Sequence, residues 1–304
     1  MSHQSHAFGL DLTLPWAIPG LPPRRAAPGR PVLTVTVGGA VDADRAWGES
    51  AGRRVVELPV RGARPELVVR AAGDRYRLDW HAIGRFVLPG DGRLVCAVEP
   101  GADAQWERLL LAQVLPLAAT VAGVEVLHAG AVAVDGMALG IVGAGGMGKS
   151  TLACALADQG AEFMADDALG LTRDGATITA HPGPALARLA AAPGQTPDVA
   201  GKAVRELGAR AEARELGALF LLRRAADVGA PAFHHGAGFP ELAGATFNLL
   251  VQTPERLRRQ LDLCADLDAS GRVWRVELPA SMAAADAASL IARHVREVAP
   301  WVGR

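Results

Sequence analysis

The chain has 304 residues, half of them apolar, with 31 basic against 32 acidic side chains and a formal charge of −1. A pI near 6.7 excludes a whole-chain nucleic-acid binder, which carries a basic excess, and the 21% charged fraction excludes a disordered polyelectrolyte. The three cysteines, Cys96, Cys154 and Cys264, form no C-x-x-C pair, which excludes a disulfide framework and a zinc ribbon. A soluble, cytoplasmic protein of one large or two smaller domains is expected. Of the basic residues, 29 are Arg and only two, Lys149 and Lys202, are Lys.

Residues 1–6 are polar and lack a basic segment followed by an apolar one, so no export signal is expected. Residues 1–31 read as an extended lead-in, rich in Pro and Gly from residue 14 onward. Short apolar runs follow at Val32–Val37, Arg54–Leu58 and Glu66–Arg70. Tyr76, Leu78 and Trp80 then alternate with charged residues, and Leu94–Val98 follow the turn Pro89–Gly92. This spacing predicts an antiparallel β-rich region over 32–103. Leu109 to Val121 predict a buried helix, with Pro116 as kink or boundary. The stretch Leu109–Val134 is too often broken by Gln113, Pro116, Gly123, Glu125 and His128 to span a membrane. Val124–Val134 and Met137–Val142 flank Asp135-Gly136, a strong hairpin signal. A helix over 149–159 and a strand over 162–165 come next. Residues 172–215 are mixed, 216–222 form a buried run, and 227–246 form a glycine-rich loop. A helix starts at Thr253-Pro254, and a strand (273–278) and a helix (283–298) complete the elements. Residues 104–304 are thus expected to form one α/β domain with a mixed sheet.

The sharpest signal is Gly143-Ala144-Gly145-Gly146-Met147-Gly148-Lys149-Ser150, followed by Thr151. It matches G-x-x-x-x-G-K-[ST], a Walker A loop whose glycines let successive N–H groups turn around a phosphate. The following helix aims its positive end at the same anion. Lys149 suits the β- and γ-phosphates of ATP, and the Ser150 hydroxyl suits magnesium. In a chain that writes nearly every cation as Arg, a lysine at this position adds weight. Two carboxylates, Asp166-Asp167, follow the run Phe163-Met164-Ala165. One suits magnesium, the other the proton of an attacking hydroxyl. His128 ends the strand before the hairpin, where it is expected to orient a carboxylate or share its proton.

Leu127-His128-Ala129-Gly130, Val134-Asp135-Gly136, the loop through Thr151, and Asp166-Asp167 stand in an order that resembles the catalytic domain of HPr kinase/phosphorylase. The resemblance covers about residues 105–300 and is dense over 124–172. It implies a P-loop kinase domain similar in its core to phosphoenolpyruvate carboxykinase. It implies His128 as the active-site histidine, Asp166 as catalytic base, and Asp167 near the metal and Ser150. The family phosphorylates a serine of a small protein. Its downstream Glu-x-Arg-Gly-x-Gly signature is not matched by Leu186-Ala187-Arg188-Leu189 or Arg205-Glu206-Leu207-Gly208. The chain therefore looks more like diverged HPr-kinase-like proteins of bacterial peptide-modification gene sets.

Other residues carry weaker signals. His234-His235 read as loop residues rather than metal ligands for want of a third spaced partner, in a loop long enough to act as a lid. Arg188 reads as a surface residue, or as a contact to phosphate or acceptor. Lys202 is a candidate phosphate contact. Cys154 reads as core, and Arg223-Arg224 as a solvated strand-end pair. Three functions stay open: an ATP- and magnesium-dependent kinase acting on a Ser/Thr hydroxyl of a peptide or small protein, a small-molecule phosphotransferase, and a nucleotide-binding module without chemistry. No nucleic-acid or membrane partner is expected.

Overall fold

The computed structural model describes residues 2–24, 29–59, 65–102, 105–191, 202–208, 212–236 and 239–298. It divides into two compact units, Met1–Val124 with Asn248–Leu257, and Glu125–Phe247 with Arg258–Arg304. The boundary thus falls some twenty residues after the expected one, because the helical stretch before it groups with the first unit.

The first unit contains β1 (His3–Ala7), β2 (Leu10–Leu14), β3 (Val32–Gly38), α1 (Ala40–Trp47), β4 (Arg53–Pro59), β5 (Pro65–Ala72), β6 (Arg75–Trp80), β7 (Gly84–Leu88) and β8 (Arg93–Val98). The strands form one sheet in the order β1-β2-β3-β8-β7-β6-β5-β4. β4 to β8 make the expected antiparallel meander, whereas β3 pairs in parallel with β2 and β8. The first two strands replace the beginning of the expected lead-in. Its later part is tied back by Arg24 and Arg30 on the buried Asp11 carboxylate, at 2.9 and 3.6 Å; residues 25–28 lie outside the described residues. Helix α1 has too few turns for its period to be read from sequence; it buries Ala43 and Trp47 against Val87 and Ala97.

The buried helix of this unit runs as α2 (Gln105–Leu109), a π turn (Leu110–Val114) and α3 (Leu115–Val121). Pro116 has no N–H to donate backward. The widened π turn before it takes the place of the expected kink or boundary, and Pro116 sits in the first turn of α3.

The second unit holds β9 (Glu125–Leu127), β10 (Ala129–Val134), β11 (Met137–Val142), α4 (Lys149–Asp158), β12 (Glu162–Ala165), β13 (Leu169–Asp174), β14 (Thr177–His181), β15 (Leu186–Ala190), β16 (Lys202–Glu206), β17 (Arg214–Ala225), β18 (Ala232–His235) and α5 (Phe239–Gly244). It closes with the part of α6 (Pro254–Ala269) from Arg258 onward, β19 (Val273–Pro279) and α7 (Ala284–Val298). This is a mixed α/β fold. The nine-stranded sheet runs β12-β10-β11-β17-β14-β13-β9, with β19 also on β17 and β18 on β19. Along β11, Leu139 and Ile141 face a core shared with Leu152 and Leu156 of α4 and Ile291 of α7. Ala138 and Val142 face the opposite core, with Leu242 of α5 and Leu263 and Leu267 of α6. The period-two alternation of the strand thus supplies two apolar faces, each covered by helices. Asp135 and Gly136 both have positive φ, 49° and 81°, as a tight hairpin turn with the sheet's twist requires.

The expected glycine-rich loop over 227–246 is partly ordered into β18 and α5; residues 237–238 lie outside the described residues. Its end is pinned rather than lid-like, with the His128 N–H donating to Ala245 O at 2.7 Å and the Phe247 N–H to Val126 O at 2.8 Å. Among the described residues no helix is long and apolar enough to cross a membrane.

His294 of α7 stacks on Phe233 at 3.8 Å and meets the Trp274 ring edge-on at 4.7 Å. Burial holds its pKa below the usual 6.5, against a smaller opposite pull from Glu297. The folded state therefore disfavours the imidazolium. The stability this gives is complete above the unfolded value and is lost as pH falls through the folded one. The Tm of the wild-type protein is expected to drop as pH falls from neutral through and below 6.5, and His294→Phe to flatten that drop. Thermal melts followed by circular dichroism across this range check it; parallel Tm profiles for the two proteins would contradict it.

Candidate functional site

Strand β11 leads directly into residues 143–148. Antiparallel β10 and parallel β17 flank it, Val142 lying opposite Leu221. The loop leaves the sheet so tightly that a Cβ on Gly143 would stand 2.9 Å from Leu222 O. At the other end Gly148 adopts φ 85° and ψ 22°, a left-handed conformation that an L side chain would strain. It is the N-cap of α4. No side chain caps that helix and no acidic residue stands in its first turn. The first N–H groups and the positive end of the helix are left for an anion.

Lys149 is only 5% exposed. Its Nζ donates to Gly143 O at 2.8 Å and Ala144 O at 3.4 Å, and lies 3.1 Å from His128 Nε2. Burial lowers its pKa, opposed by the charges of Asp167 and Asp166. The ammonium thus rests on loop carbonyls, within the electrostatic reach of two carboxylates.

His128 occupies the break between β9 and β10, two strands that join different parts of the sheet. Its Nδ1 lies 3.0 Å from the main-chain carbonyl of Asp167. A carbonyl only accepts and an ammonium only donates, so Nδ1 carries the hydrogen and Nε2 receives Lys149. This is the neutral tautomer, in keeping with a pKa lowered by burial and by Lys149. The Phe247 ring lies over the imidazole, centroids 6.1 Å apart. The expected bond from His128 to a carboxylate is replaced by one to the Asp167 backbone.

The carboxylates sit where β12 ends. Asp167 has φ 62°, and the Ala168 N–H closes a three-residue turn on Asp166 O at 2.8 Å. Such a conformation is sparsely populated, and residues held in it cluster at functional sites. The Asp166 carboxylate takes the Arg188 N–H at 2.9 Å on Oδ2, and the nearby Ser150 hydroxyl favours its charged form. Its Oδ1 is buried without a hydrogen-bond partner. Burial and the neighbouring Asp167 raise its pKa, against Ser150, Arg188 and Lys202. The loop serine thus acts on Asp166, whereas the family resemblance implies Asp167 beside Ser150. Both carboxylates act on Lys149, Asp167 more strongly than Asp166.

Other residues reach the site through the two-stranded sheet of β15 and β16, in which Arg188 lies opposite Val204 and Ala190 opposite Lys202. Arg188 serves through its backbone, and Lys202 acts electrostatically on both Asp166 and Lys149. Cys154 is buried on α4, its thiol pushed up to about 11 by burial, and belongs to the core. His235 donates Nε2–H to Gly271 O at 2.9 Å. Among the described residues no three His, Cys, Asp or Glu side chains converge on a point that would hold a metal ion. Arg223 is the solvated half of its pair, bridged to Asp227 and Glu277 at 2.6 and 3.2 Å. Arg224 lies beside the loop instead.

No family model matches the chain, and no curated protein matches it. A solved structure similar to part of it is the HPr(Ser) kinase/phosphatase from Coxiella burnetii, with 18% identity and a TM-score of 0.35, over 57% of this chain and 97% of that one.

Proposed function

We propose that the protein is a magnesium-dependent phosphotransferase that moves the γ-phosphate of ATP to the hydroxyl of a Ser or Thr in a peptide or small protein. The observation that carries the reading is the convergence of the 143–150 loop, Lys149, Asp166 and Asp167 on one site. The ordered set His128, loop, Asp-Asp supports a protein hydroxyl as acceptor. A pure nucleotide binder has no use for a second carboxylate beside the metal ligand.

The residues fit magnesium. A serine hydroxyl, one carboxylate and substrate phosphates are what this small, hard cation takes, and Asp166 Oδ1 is a buried oxygen without a hydrogen-bond partner beside Ser150. The bound ion would offset charge on the phosphate oxygens. Lys149 exchanges its loop carbonyls for phosphate oxygens. Asp167 receives the acceptor's proton as the new O–P bond forms and the bond to the ADP oxygen breaks. His128 holds the Asp167 turn through its carbonyl.

This division gives a specific result. Asp166→Asn keeps an acceptor for the Arg188 N–H but removes an anionic metal ligand. The magnesium concentration for half-maximal transfer is expected to rise about tenfold or more, with the saturated rate less affected. Transfer of labelled γ-phosphate to Ser/Thr peptides, with Ala-substituted peptides as control, tests the whole reading. Wild-type protein that binds no ATP in the presence of magnesium would end it.

A further inference from the structure

We propose that Arg224 is a phosphate-contacting arginine supplied by the chain itself to the nucleotide in the 143–150 loop, an inference that rests on the nucleotide-binding part of the reading above. Strand β17 runs parallel to β11, so both strands end on the same side of the sheet. The residues that follow Leu221 on β17 therefore emerge beside the residues that follow Val142, which are the loop. The register brings Leu222 O against Gly143, and two residues on it brings the Arg224 side chain to Gly148. A Cβ at Gly148 would stand 3.3 Å from Arg224 Nη1. Gly148 is the last residue before Lys149 and caps the helix whose N-terminus faces the anion.

The surroundings of Arg224 differ from those of its neighbour. Arg223 is engaged by two carboxylates, Asp227 and Glu277. Among the described residues no carboxylate pairs with Arg224, which is half-buried and donates through Nη2 to the main-chain carbonyl of Met282. That bond anchors one arm of the guanidinium where β19 has ended and before α7 begins, and leaves the other arm on the loop side. A planar, permanently charged fork held this way suits two phosphate oxygens at once, which a lysine cannot match. A cation at this place offsets charge on the phosphoryl oxygens beside the last glycine of the loop.

The test is calorimetric titration of the full chain with Mg·ATP and Mg·ADP, with circular dichroism to verify folding. Arg224→Ala is expected to weaken Mg·ATP binding about ten- to hundredfold. Arg224→Lys recovers part of that loss, and Arg223→Ala binds as wild type does. Added guanidinium ion in the millimolar range restores affinity to Arg224→Ala alone. A larger loss for ATP than for ADP puts the contact on the γ-phosphate, and an equal loss puts it on the β-phosphate; either supports the proposal. Should Arg224→Ala fail to fold, Arg224→Lys and Arg224→Gln carry the comparison. Folded Arg224 variants that bind Mg·ATP within twofold of wild type overturn the role of Arg224, while a loss in Lys149→Ala in the same series leaves the nucleotide site standing. Wild type that binds no nucleotide overturns both.

Discussion

Asp167→Asn is expected to bind Mg·ATP almost as wild type does and to transfer phosphate about 10²–10⁴-fold more slowly, the range that a positioned base contributes. The substitution isolates chemistry from folding for two local reasons. Asn tolerates positive φ as well as Asp does, so the turn at φ 62° is kept. His128 contacts the main-chain carbonyl of this residue, so its bond survives the loss of the carboxylate. Single-turnover transfer of labelled γ-phosphate, beside nucleotide affinity, reads the two effects separately. If Asp167→Asn transfers at the wild-type rate while Asp166→Asn loses it at saturating magnesium, the two aspartates exchange roles, as the family resemblance alone implies.

Lys149→Ala is expected to weaken Mg·ATP binding by about 1.5–3 kcal/mol, roughly ten- to 150-fold. The gain from phosphate contact is a difference. In the free protein Nζ already donates to Gly143 O and Ala144 O, and the nucleotide takes over a donor in use. What tips the exchange is charge. Carbonyl oxygens offer partial negative charge and phosphates a full one, in a site where burial already lowers the lysine pKa. The same substitution removes the donor to His128 Nε2, so the histidine signals in an NMR spectrum are expected to move without nucleotide. Unchanged affinity in Lys149→Ala would remove the loop as the nucleotide site.

Much of the second unit was legible because its signals are local. The Asp135-Gly136 hairpin, the loop with its glycines, α4 and the short strand β12 lie within a few residues of the features that announce them. The N-terminal part was read less well. β1 and β2 carry only five residues each, and α1 two turns, too few for a period to stand out from the Pro- and Gly-rich context. The β15–β16 sheet was missed as well, since its two strands are joined by a long connection and neither is strongly apolar.

The sequence by itself determined the chemistry on offer: a phosphate loop with one lysine in an arginine-rich chain, a pair of adjacent carboxylates, and a histidine just before the hairpin. Which group faces which was decided by the tertiary structure alone. Asp166 receives the Arg188 N–H and feels Ser150, while Asp167 acts most strongly on Lys149 and meets His128 through its main-chain carbonyl, and no spacing rule encodes that. His128 meets Asp167 across 39 residues because β9 and β10 part at that point. Arg224 stands at the loop, and its neighbour Arg223 in solvent, because parallel pairing aligns the ends of strands remote in the chain and successive side chains leave a strand on opposite faces.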